Sequence, residues 1–148
     1  NEILNQADEI WVAAAWSRWV IDYLPQSISN LSNQFGVPVR VFGLKSFGAI
    51  SPYKLISIPS VQRANYTQTV STGAIEISEY LNEVMSNYEF FYPLLKPLCG
   101  GDYSECRIFT DDGLLISADG GHLTREGAAE SATRLRGVLN AISNSLQQ

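Results

Sequence analysis

Ile10-Trp11-Val12-Ala13-Ala14-Ala15, followed by Leu24, Ile28, Leu31 and Phe35 and then by Val37-Pro38-Val39-Arg40-Val41-Phe42-Gly43, is the stretch whose reading decides the fold. The first run is short and continuously apolar, as in a strand of a parallel sheet buried on both faces. The four residues after it recur at helical spacing, and Gly36 stands where a C-cap belongs. The third run reads as a second strand with proline at its start. Strand, helix and strand within about 35 residues make a βαβ unit, and βαβ units build α/β folds with parallel sheets.

Outward from that unit the text alternates. Leu44 to Thr72 is irregular, with Pro52, Pro59 and many Ser and Thr, and reads as a long excursion with a short helix near 61–66. Loops of this length tend to be functional or to shape a site. Asn30-Leu31-Ser32 and Asn65-Tyr66-Thr67 read as chance sequons in Ser/Asn-rich text. Ile77, Tyr80, Leu81, Val84 and Met85 mark an amphipathic helix with Ser78 and Glu79 near its start. Tyr88–Tyr92 is aromatic and strand-like, and Pro93 ends it. Arg107-Ile108-Phe109-Thr110 and Leu114-Leu115-Ile116-Ser117 flank Asp111-Asp112-Gly113, a hairpin signal. A last helix is expected from about Thr124, its N-cap, to Leu146, burying Ala128, Ala132, Leu135, Val138, Leu139, Ile142 and Leu146.

The chain has 148 residues, of which 45% are apolar and 17% charged, so it reads as one domain, 1–148, with 44–72 as an insertion. A chain of this length buries roughly 70% of its unfolded surface, so folding does not require disulfides. A net charge of −5 argues against a general nucleic-acid or anionic-membrane surface. No apolar run approaches the roughly 20 residues that span a bilayer. The opening Asn1-Glu2-Ile3-Leu4 has neither an initiator Met nor a signal pattern, and reads as the start of a piece of a longer protein.

Cys99 and Cys106 enclose a Gly-Gly-Asp turn. With two Cys and one His, a four-ligand zinc site cannot be assembled in one chain, so no metal is expected. The spacing suits a small disulfide loop in an oxidising compartment, or two buried thiols in a reducing one.

His122 is the single histidine. It lies in Ala118-Asp119-Gly120-Gly121-His122-Leu123-Thr124, between a strand end and a helix start, where open α/β sheets place ligand-facing residues. Asp119, three positions earlier, can fix the imidazole tautomer and stabilise the imidazolium. The ring can then take a proton from a hydroxyl nucleophile. Taken alone, the same residues also read as a solvated Asp beside a capping His on a surface turn.

Asp119-x-x-His122-Leu123-Thr124-x-x-Gly127-Ala128 resembles the last motif block of the SGNH (GDSL-like) hydrolase superfamily. The Leu-Thr and Gly-Ala form looks most like the SGNH domains fused behind membrane acyltransferases that modify bacterial surface polysaccharides. Ala15-Trp16-Ser17-Arg18-Trp19 after the first apolar run is similar to that subgroup's third block, and a cysteine pair upstream of the final motif agrees with it. The resemblance covers most of the chain from Asp8 to about Leu139. It is specific at the Asp–His motif and loose elsewhere.

The resemblance implies a flavodoxin-like three-layer α/β/α fold with a mainly parallel sheet. It implies a carbohydrate O-acyl (acetyl) esterase or transferase working through an acyl-serine, with Asp119 and His122 as the acid/base pair and no cofactor. The partners it implies are an acylated glycan or small ester and a membrane acyltransferase domain in the same protein. The expected location is periplasmic or otherwise extracytoplasmic, tethered to a membrane in the full-length protein. Trp16, Ser17 and Arg18 are then expected to line the pocket. Arg18 would face an anionic sugar or an oxyanion, and Trp16 or Trp19 would stack on a sugar ring. Read without the resemblance, Arg18 is a helix-start surface cation and the tryptophans are core.

Two of the family's four blocks are missing. No Gly-Asp-Ser occurs, and Gly101-Asp102-Tyr103-Ser104 has the wrong spacing. The Gly-x-Asn-Asp block, whose Asn serves the oxyanion, is absent as well. Ser17 is the best in-chain substitute for the nucleophile. The simplest account is a serine upstream of Asn1 on a missing first strand. The isolated chain would then be inactive and would leave a sheet edge open to self-association. The competing reading is an inactive SGNH-like module that binds or presents glycan. A third is an unrelated α/β domain in which the Asp–His pair is incidental.

Overall fold

The computed structural model describes residues 4–100 and 103–145. Asn1-Glu2-Ile3, the Gly101-Asp102 pair and the expected helix residue Leu146 lie outside the described residues. In chain order the elements are β1 (Ile10–Val12), α1 (Arg18–Phe35), β2 (Val39–Phe42), α2 (Pro52–Ser57), α3 (Ser60–Arg63), β3 (Thr67–Thr69), α4 (Thr72–Val84), β4 (Phe91–Tyr92), α5 (Leu95–Cys99), β5 (Glu105–Arg107), α6 (Arg125–Arg134) and α7 (Arg136–Ser145). The class is mixed α/β with a mainly parallel sheet. The chain divides into two compact units, one running up to Leu44 and resuming at Glu76–Pro93, the other holding Lys45–Ile75 and the residues from Leu94 onward.

The first unit is built on a parallel sheet of order β1-β2-β4, with Ile10 opposite Val39 and Val41 opposite Phe91. Val39 and Val41 pack with Ile21, Leu24 and Ile28 of α1 and with Leu81 and Met85. Ser17 starts α1 with extended backbone, and its carbonyl accepts the Ile21 N–H at 3.0 Å. Gly36 ends it at φ +67°, donating its N–H to Ser32 at 2.8 Å in the left-handed cap that glycine favours. The helix starts six residues before Leu24 and runs through Pro25, which cannot donate to the Ile21 carbonyl. The buried face of Ile21, Leu24 and Ile28 holds it together across that gap.

The strand expected to be buried on both faces is not the first. In β1 Trp11 is 54% exposed, and Ala13, Ala14 and Ala15 lie past the ladder in solvent-exposed chain. The reason is position: among the described strands β1 pairs only with β2, as an edge. The fully buried strand is β2, where Val39, Arg40 and Val41 all lose contact with water. Arg40 is tolerated there because it is paired. Its Nε donates to Glu9 at 2.5 Å, an amino group donates to the Tyr92 hydroxyl at 2.7 Å, and the Phe90 ring lies 5.2 Å from the guanidinium carbon.

The second unit packs Phe47, Ile58, Val70, Leu95, Leu98, Ile108, Phe109 and Ile116 into one core. Within the excursion over 44–72 the expected short helix falls at α3, and α2 and β3 add order that the text does not suggest. β3 pairs antiparallel with β5, Gln68 opposite Cys106. Cys106 and Cys99 form a disulfide that joins β5 to the end of α5. The Asp111-Asp112-Gly113 turn forms as expected: Gly113 sits at φ +74°, and Thr110 N–H reaches Leu114 O at 2.8 Å.

Thr124 caps α6, its hydroxyl accepting the Gly127 N–H at 2.9 Å. The expected single helix is broken at Leu135 into α6 and α7, and its buried face is rotated. Ile142 is buried as expected, but in α6 Gly127 and Ser131 are buried in place of Ala128 and Ala132, and Leu139 is exposed. Gly127 causes the rotation: a Cβ there would lie 2.0 Å from the Ile116 carbonyl oxygen, so the backbone itself is the contact surface. A count of apolar side chains passes over such a contact.

Gly127→Ala should therefore destabilise the protein by about 3 kcal/mol or more, as overpacking against backbone does. Gly137→Ala, with nothing within 4 Å of the added methyl, should stabilise by about 0.4–1 kcal/mol. Urea unfolding midpoints of the two variants check the pair; equal shifts would contradict the packing described.

Candidate active site

The loop 117–124 is closed by its own backbone. Ser117 and Leu123 form an antiparallel bridge, and Thr124 N–H reaches Ile116 O at 2.9 Å. Gly120 turns the chain at φ +84° and accepts the Phe47 N–H at 2.8 Å. A Cβ on Gly120 would lie 1.8 Å from the Gly48 carbonyl oxygen, so two backbones meet where only glycine fits. Ser117, fully buried, accepts the Gly120 N–H at 2.9 Å and lies 3.5 Å from an Asp119 carboxylate oxygen.

Asp119 faces inward on this loop. Its Oδ1 accepts the backbone N–H of His122 at 2.7 Å and of Gly121 at 2.9 Å. Its Oδ2 lies 2.6 Å from His122 Nδ1. The His122 N–H, the His122 ring and the Gly121 N–H, in that order, hold the Asp119 carboxyl well below the ordinary 3.8. Beside an ionised carboxylate Nδ1 carries a proton and donates it, so the lone pair of Nε2 is left facing outward. The His122 side chain is 92% exposed and that of Asp119 55%, so the ring is open to a reactant. Chemically the arrangement leaves an exposed imidazole nitrogen able to accept a proton. The cavity of about 510 Å³ in the first unit and the open groove of about 390 Å³ in the second are lined by other residues.

Asp119 and His122 are thus brought together as the sequence suggested. Trp16, Ser17 and Arg18 belong to the first unit. Trp16 is not positioned to stack on a ligand. It is 7% exposed, and its indole N–H donates to Phe42 O at 2.9 Å, so it is a core residue with its polar atom satisfied. Ser17 is the α1 N-cap residue, and Arg18 opens the helix with its guanidinium carbon 4.7 Å from the Tyr80 ring centre. Trp19 is 70% exposed rather than core. The Gly120-Gly121 pair reads as the linker that lets the chain turn back, but Ser117 and Gly48 were not singled out from the sequence; a serine two positions before the Asp and a glycine at the crossing point were the available signals. Among the described residues no cluster of three or more His, Cys, Asp or Glu could hold a metal ion.

Comparison of the chain with protein-family models, with curated proteins and with solved structures finds no match in any of the three.

A group whose folded pKa is depressed adds stability above its unfolded value, and that stability is lost as pH falls through the folded value. The carboxyl carbon of Asp119, followed by NMR, should show no titration above about pH 3, while unfolded-state carboxyls titrate near 4. A midpoint at the ordinary value would mean that the loop does not hold the carboxylate. Ser117→Ala leaves the buried Gly120 N–H without its acceptor and should cost about 1–3 kcal/mol in a denaturant titration.

Proposed function

We propose that this chain carries the acid/base half of an SGNH-type carbohydrate O-acyl (acetyl) esterase or transferase. The observation that carries the reading is the 2.6 Å contact of Asp119 with Nδ1 of an otherwise exposed His122, on a carboxylate already held by two backbone amides. A base so oriented needs only a hydroxyl in reach of Nε2. The reading assigns that hydroxyl to a serine outside these 148 residues.

In the first half-reaction Nε2 takes the serine proton as the oxygen attacks the acyl carbonyl. The imidazolium, stabilised by Asp119, then protonates the departing alcohol and leaves an acyl-serine. In the second half-reaction Nε2 deprotonates a sugar hydroxyl, or water, which attacks the acyl-serine and returns the proton to the serine oxygen. Transfer and hydrolysis share every protein group and differ in the acceptor. The parallel β1-β2-β4 sheet is compatible with an α/β fold, and the flavodoxin-like three-layer arrangement that the reading needs rests on the sequence resemblance. The Cys99–Cys106 disulfide supports an extracytoplasmic location. A glycan substrate and a membrane acyltransferase domain in the same protein rest on the sequence resemblance.

The test is turnover of p-nitrophenyl acetate by the protein that carries the serine. His122→Ala should lower kcat by at least about 10²-fold, and Asp119→Asn should lower it through the wrong tautomer without abolishing substrate binding. Undiminished turnover in His122→Ala, or no turnover in the unaltered protein, would overturn the reading.

A further inference from the structure

The second unit has an open groove of about 390 Å³ lined by Leu55 and Ile56 of α2, by Phe109, Leu114 and Leu115 of the hairpin, and by Arg63 of α3. It lies within the roughly 300–1,000 Å³ of small-molecule sites. Five of these six side chains are apolar, and the sixth is a cation held in a fixed pose. Arg63 Nε donates to Ile58 O at 3.2 Å, and its guanidinium carbon lies 5.6 Å from the Phe109 ring centre. The two terminal amino groups of Arg63 find no acceptor among the described residues. At the mouth the surface stays apolar, with Ile56 at 80% and Leu114 at 50% exposure. Exposed apolar side chains gathered at one place mark a binding surface.

We infer that this groove binds a straight-chain fatty carboxylate, the alkyl chain along the Leu55, Ile56, Leu114 and Leu115 walls and the carboxylate on the terminal amino groups of Arg63. The charge of the head follows from Arg63, whose planar fork matches a carboxylate in two parallel hydrogen bonds. The flexible aliphatic tail follows from the branched aliphatic walls, since the one aromatic ring of the lining already lies under the guanidinium. The nearby acidic turn does not neutralise the site. Asp111 is paired with Arg107 at 2.5 Å, and Asp112 is exposed to water. The inference uses neither Asp119 nor His122 and stands or falls apart from the proposed activity.

The experiment is a methyl-detected NMR titration of the full chain with hexanoate, octanoate and decanoate below their micellar concentrations, with decanol as the uncharged control. Saturable shifts are expected at Leu55, Ile56, Leu114 and Leu115, with affinity rising roughly fourfold per methylene until the walls are covered. Decanoate should bind at least about tenfold more tightly than decanol, and Arg63→Gln should remove that preference while decanol binding persists. Equal affinity for decanoate and decanol in the unaltered chain, or no saturation by decanoate, overturns the inference. Co-sedimentation with lipid vesicles without saturable decanoate shifts overturns it in favour of a bilayer-contact face. If Arg63→Gln also lost decanol binding, the comparison of the two ligands on the unaltered chain would decide alone.

Discussion

The Asp119 carboxylate gathers two backbone N–H groups and one imidazole onto its two oxygens, and the geometry of the whole candidate site follows from that one group. Each donor constrains something different. The Gly121 and His122 amides fold the loop tightly around the carboxylate. The imidazole N–H fixes which face of the ring is turned to solvent. Because two of the three donors, the strongest among them, are backbone N–H groups, the charge is held without burial. The pair can therefore stay at the surface, where a reactant reaches it.

Backbone contacts that exclude a side chain set the loop in place. Gly120 meets the Gly48 carbonyl, Gly48 itself meets the Thr69 carbonyl, and Gly127 meets the Ile116 carbonyl. At each, a Cβ would stand far inside contact distance, so the position of one segment is dictated by the main chain of the next. Side chains add the finer adjustment: Ser117 satisfies the Gly120 amide, and Thr124 fixes the first turn of α6. The loop is thus anchored at both ends by atoms that have few rotamers to lose.

How much of this was legible in the sequence depended on which physical signal a residue carries. Periodicity located α1 and its Gly36 cap, because a buried helical stripe and a left-handed terminus both leave marks in residue type. The Asp-Gly turn and the Thr124 cap were legible for the same reason. The depth of β1 was not, since an apolar run does not say whether a strand is central or at an edge. Arg40 illustrates the converse: a charge in mid-strand looks exposed until Glu9 and Tyr92 are seen to meet it. The short helix read near 61–66 falls at α3, whereas α2 and β3 escaped detection because elements of six residues or fewer carry too little period to read. Trp16 and Trp19 look alike as letters; only the Phe42 carbonyl distinguishes the core residue from the exposed one. The approach of Asp119 to His122 was foreseeable from spacing, and the buried Ser117 beneath them was not.

Stability alone does not account for the Asp119–His122 pair. A solvent-exposed ion pair contributes little to folding, and water and salt screen what it does contribute. Around this pair the chain accepts a positive-φ residue at Gly120 and a main-chain contact that forbids any other residue there. Those are demanding requirements for a surface turn whose electrostatic return in folding is small. A carboxylate retained in its ionised form, a ring nitrogen bound to it and the opposite nitrogen left in solvent are the properties that taking a proton from an outside hydroxyl requires.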